Sequence, residues 1–477
     1  MEPPRNLTMM TDLYQLTMMY GYFRHGMGEN LAVFDLFYRR ADEEISHAVA
    51  AGLEQAAAFV QNLRFETSDL DYLRSLRMFD EDFLAYLANF RFTGDLNAVP
   101  EGTLVFPGEP IVQVIAPLTQ AQLLETALLN IINHQTLIAT KASRVVQAAG
   151  EDRVLEFGLR RAQGPDAGIY GTRASLIGGC EATSNVLSAK LFNLPVRGTH
   201  AHSWVMSFPS ELEAFRAYAE VFPDACLLLV DTYDTLKRGV PNAITVFKEL
   251  RERGHEPLGI RLDSGDMAYL SRKSREMLDA AGFQNAQICA SSDLDEEIIW
   301  DLKAQGAAVD IWGVGTRMIT SQNMPALGGV YKLAAEEVGG VMAPRIKISE
   351  NPAKVTNPGV KKVYRVYDKE TGRSLADLIA LADEIYDERE PLHLFDPENT
   401  WKRMAVTNYT LRPLLVPVFK GGALVYTLPP IEEIQRYAKR ELETLWPEYK
   451  RLHKPHLYKV DLSRPLWDLK QSMLGNG

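Results

Sequence analysis

The sequence predicts an α/β protein built around a closed (β/α) barrel, and three observations lead to this prediction. Short apolar runs that end in polar residues or glycine recur between residues 153 and 316. Helical patterns separate most of these runs, and repetition of strand, polar loop and helix is typical of a parallel sheet wound by helices. The chemically reactive side chains follow the strands, which is where such barrels place their sites. Five or six repeats fit a closed barrel best.

Composition and charge exclude several classes of protein. The 477 residues carry 51 Lys and Arg against 62 Asp and Glu, and 46% of them are hydrophobic. These values are typical of globular domains and exclude a disordered or fibrous chain. The net charge of −11 argues against nucleic-acid binding, which requires a dense basic face. A chain of this length is expected to form one to three domains.

The cysteines and the apolar runs indicate the compartment. Cys180, Cys226 and Cys289 stand singly, with no CxxC pair or Cys/His cluster, so neither disulfides nor a structural zinc site are expected. The N-terminal residues lack the pattern of a signal peptide, and no uncharged apolar run is long enough to span a membrane. We therefore expect a cytoplasmic protein.

The individual elements can be predicted in chain order. Before the barrel, the patterns predict a helix over 11–22, β-like runs at 33–38 and 102–115, and a long helix over 119–149. The barrel strands are predicted to begin at residues 153, 194, 227, 259, 287 and 310, with helices over 211–222, 242–253, 267–281 and 295–305. The less regular region after residue 336 contains β-like pieces at 361–367 and 423–428 and a charged helix over 431–445.

These patterns predict three regions. Residues 1–135 are expected to form an N-terminal α/β domain that later segments complete. Residues 136–335 are expected to form the barrel with the active site. Residues 336–477 are expected to form a C-terminal extension that packs partly on the other two regions.

Two adjacent arginines, Arg160 and Arg161, follow the first barrel strand in the segment EFGLRRAQGPDAG. An arginine at a strand end can bind a phosphate or carboxylate through two parallel hydrogen bonds. A surface arginine pair is an equally good interpretation of these residue types. Because neighbouring residues on a strand point to opposite faces, we expect at most one of the two to face a given ligand.

Two histidines, His200 and His202, follow the next predicted strand in the segment GTHAHSW. In extended geometry they would share a face and could bind a metal, but no third ligand stands nearby at a metal-binding spacing. A single histidine that acts as a nucleophile or as an acid and base is the better functional interpretation. A purely structural histidine has about equal weight.

Four aspartates, Asp231, Asp234, Asp263 and Asp266, follow two further predicted strands. Converging carboxylates can hold Mg²⁺, accept hydrogen bonds from sugar hydroxyls or orient an imidazole. Asp266 is also well placed to cap the helix that follows it. Arg261 stands inside an apolar strand pattern, where an arginine is costly unless it is paired.

The last predicted barrel strand ends in the segment DIWGVGT, which contains Gly313, Gly315 and Thr316. Such a loop lets backbone amides approach a phosphate. The pattern is weak by itself and gains weight from its position, because barrels often bind phosphate after their last strands.

Taken together, these segments resemble those of the nicotinate phosphoribosyltransferases. TDLYQLTMMYGY, EFGLRRAQGPDAG, GTHAHS, VDTYDT, RLDSGD and GVGT…LGGVYKL occur in this order between residues 11 and 333. The resemblance implies an irregular (β/α) barrel of the type II phosphoribosyltransferase kind, with a second α/β domain from N-terminal segments and a C-terminal extension. It implies that the protein joins nicotinate to 5-phosphoribosyl 1-pyrophosphate in NAD biosynthesis or salvage, giving nicotinate mononucleotide and pyrophosphate. ATP as co-substrate, Mg²⁺ and a homodimer with shared active sites are also implied.

The resemblance assigns roles to individual residues. His202 matches the histidine that ATP phosphorylates, Asp231 matches a carboxylate that engages this histidine in nicotinamide-using relatives, and Arg160 matches an arginine of the anion pocket. These three are the expected catalytic residues. By the same resemblance, Tyr14, Thr199, Arg261 and Thr316 are expected to bind substrates. The chemistry of the reaction adds Asp263, Gly313 and Gly315 to the expected substrate-binding residues. Asp263 is also the expected Mg²⁺ ligand, and the partner subunit is expected to supply Tyr14.

One departure bears on the choice of substrate. The nicotinamide-using relatives carry an aspartate directly after the Gly-Thr pair, and His200 occupies that position here. A carboxylate there would repel nicotinate, so its absence favours the acid over the amide. Use of nicotinamide or quinolinate, or nucleotide binding without catalysis, are the alternatives.

Overall fold

The computed structural model describes residues 5–39, 45–351 and 354–475. Within these ranges the helices are α1 (Leu13–Arg24), α2 (Leu53–Gln61), α3 (Thr67–Ser75), α4 (Glu81–Ala88), α5 (Leu118–Ala149), α6 (Pro165–Ile177), α7 (Val186–Phe192), α8 (His202–Met206), α9 (Glu211–Val221), α10 (Val240–Glu252), α11 (Met267–Ala280), α12 (Glu296–Ala304), α13 (Thr316–Ile319), α14 (Ile431–Thr444) and α15 (Arg464–Gly475). The helices predicted from apolar periodicity are confirmed as α1, α5, α9, α10, α11, α12 and α14.

The strands in the same ranges are β1 (Leu31–Tyr38), β2 (Ala48–Val49), β3 (Asp95–Ala98), β4 (Leu104–Val105), β5 (Val112–Pro117), β6 (Arg153–Glu156), β7 (Ala182–Thr183), β8 (Leu227–Leu229), β9 (Gly259–Leu262), β10 (Gln287–Ser292), β11 (Ile311–Val314), β12 (Gly329–Val338), β13 (Val341–Pro344), β14 (Lys361–Asp368), β15 (Ser374–Leu381), β16 (Leu392–Phe395), β17 (Arg403–Val406), β18 (Tyr409–Pro413), β19 (Val416–Lys420), β20 (Ala423–Leu424) and β21 (Val460–Leu462).

The chain divides into two compact units, residues 1–137 with 326–477 and residues 138–325. The first unit contains a seven-stranded antiparallel sheet, in the order β13-β12-β1-β5-β3-β19-β20, and a four-stranded sheet, in the order β18-β14-β15-β21. In the larger sheet β12 pairs with β1, so the chain returns to the N-terminal sheet after the barrel. The domain boundaries predicted at 135 and 335 remain predictions, and residue 335 lies inside β12.

A buried charge network fastens C-terminal segments of the first unit to an N-terminal strand. Arg365 on β14 is fully buried, and it donates to both carboxylate oxygens of Asp377 on β15 at 2.9 and 2.7 Å. It also donates to Glu441 on α14 at 2.9 Å and to the carbonyl of Leu104 on β4 at 2.7 Å. Because a buried charge is tolerated only when it is paired, these contacts depend on one another.

The second unit is built on six parallel strands in the order β7-β6-β11-β10-β9-β8. Short apolar strands such as β8 are almost fully buried, as expected for a parallel sheet that is covered on both faces. This arrangement confirms the predicted α/β class.

The segment 195–200 occupies the gap between the two edge strands of this sheet. Thr183 on β7 forms a parallel bridge to the segment. On the opposite side, the Thr199 hydroxyl donates to the carbonyl of Leu227 on β8. These contacts close the six strands into an irregular barrel.

The strand predicted to begin at residue 194 is therefore wrong. Pro195 has no N–H to donate to a sheet, and the segment forms a single bridge instead of a strand. The next strand after β6 is β7, which is only two residues long and too short for periodicity to reveal. The Gly-Pro pair at 164–165, which predicts a turn, instead begins α6 with proline at the first helical position.

Two further observations concern the cysteines and the lengths of the helices. Cys180, Cys226 and Cys289 are buried free thiols. Among the helices of the described ranges, none is both long enough and apolar enough to cross a bilayer.

Candidate active site

Five polar side chains meet at the carboxyl ends of the barrel strands. Asp231 lies two residues after β8, Arg261 lies within β9, Asp263 directly follows β9, and Ser291 lies on β10. His202 is the first residue of α8. Because the strands are parallel, their carboxyl ends share one edge of the sheet, and residues far apart in the sequence become neighbours.

Arg261 is the cation of this cluster, and its side chain is 13% exposed. Its Nη2 donates to Asp263 Oδ1 at 2.7 Å, and its Nε donates to Ser291 Oγ at 2.8 Å. Its Nη1 lies 3.4 Å from the carbonyl oxygen of His200, and its guanidinium carbon lies 5.9 Å from the centre of the Phe157 ring. Asp263 is thus the carboxylate partner that makes a positive charge on this apolar strand tolerable.

Asp263 is held as a carboxylate. Burial opposes its ionisation, but the hydrogen bond from Ser291 and the charge and hydrogen bond of Arg261 outweigh burial. Together they place the pKa of Asp263 below its usual value. An ionised Asp263 is therefore present throughout the neutral pH range.

His202 lies between two carboxylates and a hydroxyl. Its Nε2 is 3.9 Å from Asp231 Oδ1 and 3.7 Å from Asp263 Oδ2, and its Nδ1 is 3.1 Å from Thr232 Oγ1. The Asp231 side chain is 1% exposed, and its Oδ2 accepts the N–H of Asp263 and the hydroxyl of Ser264. Its buried Oδ1 has no hydrogen-bond partner among the described residues. This buried carboxylate oxygen and the Thr232 hydroxyl thus lie on opposite sides of the imidazole ring.

The other two aspartates of the predicted set cap helical segments. Asp234 and Asp266 each accept the N–H of the residue three positions later, at 2.9 Å. This is the geometry of an N-cap, in which a side-chain oxygen satisfies a backbone donor that the helix leaves free. Of the four aspartates, only Asp231 and Asp263 thus belong to the His202 cluster.

Gly313, on β11, and Gly315, directly after β11, let the end of this strand lie against Phe157. A Cβ added at Gly313 would lie 2.7 Å from two ring carbons of Phe157 and 3.3 Å from the Cβ of Ser291. A Cβ at Gly315 would lie 3.1 Å from the Phe157 carbonyl oxygen. Thr316 begins α13 directly after these glycines.

Replacement of Gly313 by alanine is expected to lower kcat/KM about tenfold while the protein stays folded. The new methyl group must displace the Phe157 ring, and overpacking of this kind costs about 1–3 kcal/mol. Steady-state kinetics and a thermal melt measure the two effects. Gly21→Ala is the matched control, because a Cβ at Gly21 meets no atom within 4 Å. An unchanged kcat/KM for Gly313→Ala would show that the Phe157 contact is dispensable.

The arginine pair lies on a 3-10 turn, Leu159–Arg161, and not on a strand. The preceding strand ends at Glu156, whose buried carboxylate accepts the N–H of Gly158 and turns the chain. The prediction that Arg160 and Arg161 point to opposite faces of a strand is therefore wrong. Both are exposed, and neither guanidinium forms a hydrogen bond or ion pair with any described residue. The structure does not connect Arg160 to the His202 cluster.

Thr199 and His200 contribute to closure of the barrel. Besides the bond from Thr199 to β8, the N–H of Leu229 donates to His200 Nε2 at 3.2 Å. Burial lowers the pKa of His200 to about 4, so its ring is neutral at pH 7. His200 and His202 do not share one face, because the first ring is bonded to β8 and the second lies beside Asp231.

Tyr14 lies on α1 in the first compact unit, and 48% of it is exposed. Partial burial and the neighbouring carboxylates of Glu125 and Asp12 raise its pKa. The role of Tyr14 in binding nicotinate stays a prediction.

Within the described ranges, no group of three or more His, Cys, Asp or Glu side chains is arranged to hold a metal ion. Mg²⁺ usually keeps several waters and binds through one or two carboxylates together with substrate phosphates. The ionised carboxylate of Asp263 fits that donor set.

Sequence reasoning missed three members of the site, namely Phe157, Thr232 and Ser291. Phe157 and Thr232 each follow a barrel strand within a segment already singled out, so their position was a usable signal. Ser291 lies at the polar end of the strand predicted from residue 287, but its partners Arg261 and Asp263 stand about thirty residues earlier, on and directly after the neighbouring strand.

Known proteins resemble this chain over nearly its whole length. Family models described as the nicotinate phosphoribosyltransferase N-terminal domain, the nicotinate phosphoribosyltransferase family and the nicotinate phosphoribosyltransferase C-terminal domain match residues 9–133, 153–371 and 360–470. A nicotinate phosphoribosyltransferase from Bacillus subtilis is 52% identical over 98% of this chain and 95% of its own length.

Two solved structures extend the comparison to the fold. Human nicotinic acid phosphoribosyltransferase superimposes with a TM-score of 0.85 at 34% identity, covering 97% of this chain and 99% of the human one. The nicotinate-nucleotide pyrophosphorylase from Pyrococcus furiosus, at 23% identity and a TM-score of 0.70, covers 92% of this chain and 96% of its own and shares the fold. The likeness to the human structure confirms the predicted architecture. On these matches, and with the segments GTHAHS, VDTYDT and RLDSGD meeting at His202 and Arg261, the chain belongs to the nicotinate phosphoribosyltransferase family.

Proposed function

We propose that this protein joins nicotinate to 5-phosphoribosyl 1-pyrophosphate, giving nicotinate mononucleotide and pyrophosphate, and that ATP hydrolysis drives the step through a phosphohistidine at His202. The observation that carries the proposal is the cluster itself, in which a paired arginine lies beside an aromatic ring and a histidine lies between two carboxylates. The names of the relatives support the same substrates.

Arg261 is suited to bind the carboxylate of nicotinate. A guanidinium has five N–H donors, and three of them on Arg261 are directed at Ser291, Asp263 and the His200 carbonyl. Two donors remain for a bidentate contact with a ligand carboxylate. The Phe157 ring, which lies close to the same guanidinium, offers an aromatic face on which the pyridine ring can stack.

The transfer itself passes through a sugar cation, so the protein mainly holds the pyridine nitrogen in line with the breaking C1–O bond. The loop from Gly313 to Thr316 is suited to the 5′-phosphate, because its glycines let backbone amides approach closely. Arg160, which is exposed and has no described partner, is available for the pyrophosphate. Mg²⁺, held by Asp263, would neutralise charge on the diphosphate. Ser291 and Arg261 keep the carboxylate of Asp263 ionised.

His202 is suited to accept the γ-phosphoryl group of ATP. Phosphorylation makes the imidazole cationic, and the buried Oδ1 of Asp231 lies 3.9 Å from Nε2 to stabilise that charge. A phosphoryl group on His202 adds negative charge and three acceptor oxygens beside Arg261 and Asp263, which couples ATP to the affinity for substrates. The proposal includes a cytoplasmic homodimer in which Tyr14 enters the active site of the other subunit.

A single assay tests the proposal. Purified protein with Mg²⁺ and 5-phosphoribosyl 1-pyrophosphate is given nicotinate, nicotinamide or quinolinate, with and without ATP, and pyrophosphate release is measured. We expect turnover of nicotinate that ATP accelerates, and little or no turnover of the other two. Turnover of nicotinamide or quinolinate with none of nicotinate would refute the proposed substrate, and calorimetric binding of nucleotides without any turnover would refute catalysis.

A further inference from the structure

Two consecutive residues just after β8, Asp231 and Thr232, lie on opposite sides of the His202 ring. Asp231 Oδ1 lies 3.9 Å from Nε2, whereas Thr232 Oγ1 lies 3.1 Å from Nδ1. The two nitrogens of a neutral imidazole are not equivalent, and the hydrogen bond at one of them decides the state of the other. Thr232 is therefore in a position to control which nitrogen of His202 reacts.

The surroundings of Nε2 place the ring proton there. Asp231 Oδ1 is a carboxylate oxygen, which can only accept, and it is buried 3.9 Å from Nε2 with no other described partner. With the proton on Nε2, the lone pair of the neutral ring lies on Nδ1. In that tautomer the Thr232 hydroxyl, whose oxygen lies 3.1 Å from Nδ1, is the donor of the hydrogen bond between them.

We propose that the Thr232 hydroxyl is a positioning group for phosphoryl transfer to His202. It holds Nδ1 in the resting protein and, after rotation about its Cα–Cβ bond, donates to the transferred phosphoryl group. This inference rests on the proposed ATP-dependent function and names a residue that has no role in it so far. Thr232 acts through His202 and takes part in no covalent bond that forms or breaks.

The step balances without an additional acid or base. The lone pair of Nδ1 forms the N–P bond as the bond between the γ-phosphorus and the β,γ-bridging oxygen breaks, and ADP leaves with that electron pair. The proton on Nε2 stays in place, so the phosphorylated ring is cationic and Asp231 stabilises it. The Thr232 hydroxyl keeps its own proton and exchanges one acceptor for another.

The test compares Thr232→Val, which removes the hydroxyl at constant shape, with Thr232→Ser, which keeps it. Thr245→Val is the matched control, because Thr245 is an exposed threonine on α10 whose hydroxyl bonds its own helix. Histidine-selective ¹⁵N labelling of chelator-treated protein reports the hydrogen bond at Nδ1, and His202→Ala identifies the signal among the nine histidines. Single-turnover transfer from γ-labelled ATP, with Mg²⁺ restored, reports acid-labile phosphate on the protein.

We expect Thr232→Val to lose the hydrogen-bond shift at Nδ1 and to form phosphohistidine roughly tenfold more slowly, which is the usual effect of one lost hydrogen bond. Thr232→Ser and Thr245→Val should behave as the wild type does. If the wild type becomes phosphorylated and Thr232→Val is phosphorylated at the same rate, the role of Thr232 alone is overturned. A serine variant that is phosphorylated as slowly as the valine variant would overturn it as well. Wild-type protein that forms no acid-labile phosphate would overturn both this role and the proposed ATP step.

Discussion

Replacement of Arg261 by lysine is expected to lower kcat/KM for nicotinate by about a hundredfold or more. Lysine has three donors on one nitrogen, so it cannot serve Asp263 and Ser291 and still bind a carboxylate through two parallel bonds. A hydrogen bond to a charged group contributes about 1.5–3 kcal/mol, and each 1.36 kcal/mol corresponds to a factor of ten in rate. Steady-state kinetics with nicotinate measure the change.

The control for this variant is Arg216→Lys. Arg216 is an exposed arginine on α9 that also pairs with a carboxylate, that of Glu249 at 2.7 Å, and exposed pairs contribute little because water screens them. Its kinetics should match those of the wild type. An Arg261→Lys variant that keeps the wild-type kcat/KM would mean that another group binds the nicotinate carboxylate.

Replacement of His202 by alanine is expected to reduce ATP hydrolysis to background, a fall of about a thousandfold or more. The variant loses the proposed phosphoryl acceptor, so ATP should no longer stimulate nucleotide formation. Slow transfer without ATP should survive, because Arg261, Phe157 and the Gly313 loop remain. ADP release and pyrophosphate release, measured in parallel, separate the two activities.

His255→Ala is the matched control for this experiment. His255 also faces an aspartate, with its Nδ1 2.7 Å from Asp224 Oδ1, but it lies on the surface of the same compact unit. ATP hydrolysis should be unchanged in this variant. ATP hydrolysis that persists in His202→Ala would remove His202 from the phosphoryl-transfer role.

The barrel illustrates how far periodicity can predict a fold. Strands β8 to β11 and the helices between them follow from apolar runs separated by amphipathic stretches, because each element buries one side of a regular repeat. The short strand β7 and the closing segment 195–200 do not follow from it. Their backbone groups form hydrogen bonds with partners elsewhere in the sequence, as in the bridge between Thr183 and Val196. A local pattern of apolar residues does not indicate such partners.

The aspartates illustrate the same limit at the level of the site. Asp231, Asp234, Asp263 and Asp266 all follow predicted strands, and the sequence predicts an active role for such residues as a group. The sequence already allows Asp266 to cap a helix, but only the folded chain shows that Asp234 also caps and that Asp231 and Asp263 face His202. The distinction depends on which donor each carboxylate meets in space.

By itself, the sequence determined the α/β class, the parallel barrel and the family-specific motifs, because short-range periodicity and residue order are written along the chain. The tertiary structure alone decided that Arg261 pairs with Asp263, that His200 is bonded to β8, and that Thr232 holds the second nitrogen of His202. Two of these contacts join residues about thirty positions apart in the sequence. The third joins close neighbours whose side-chain directions depend on the backbone at the end of β9. The chemistry of the site therefore becomes visible only when parallel strands bring their carboxyl ends to one edge.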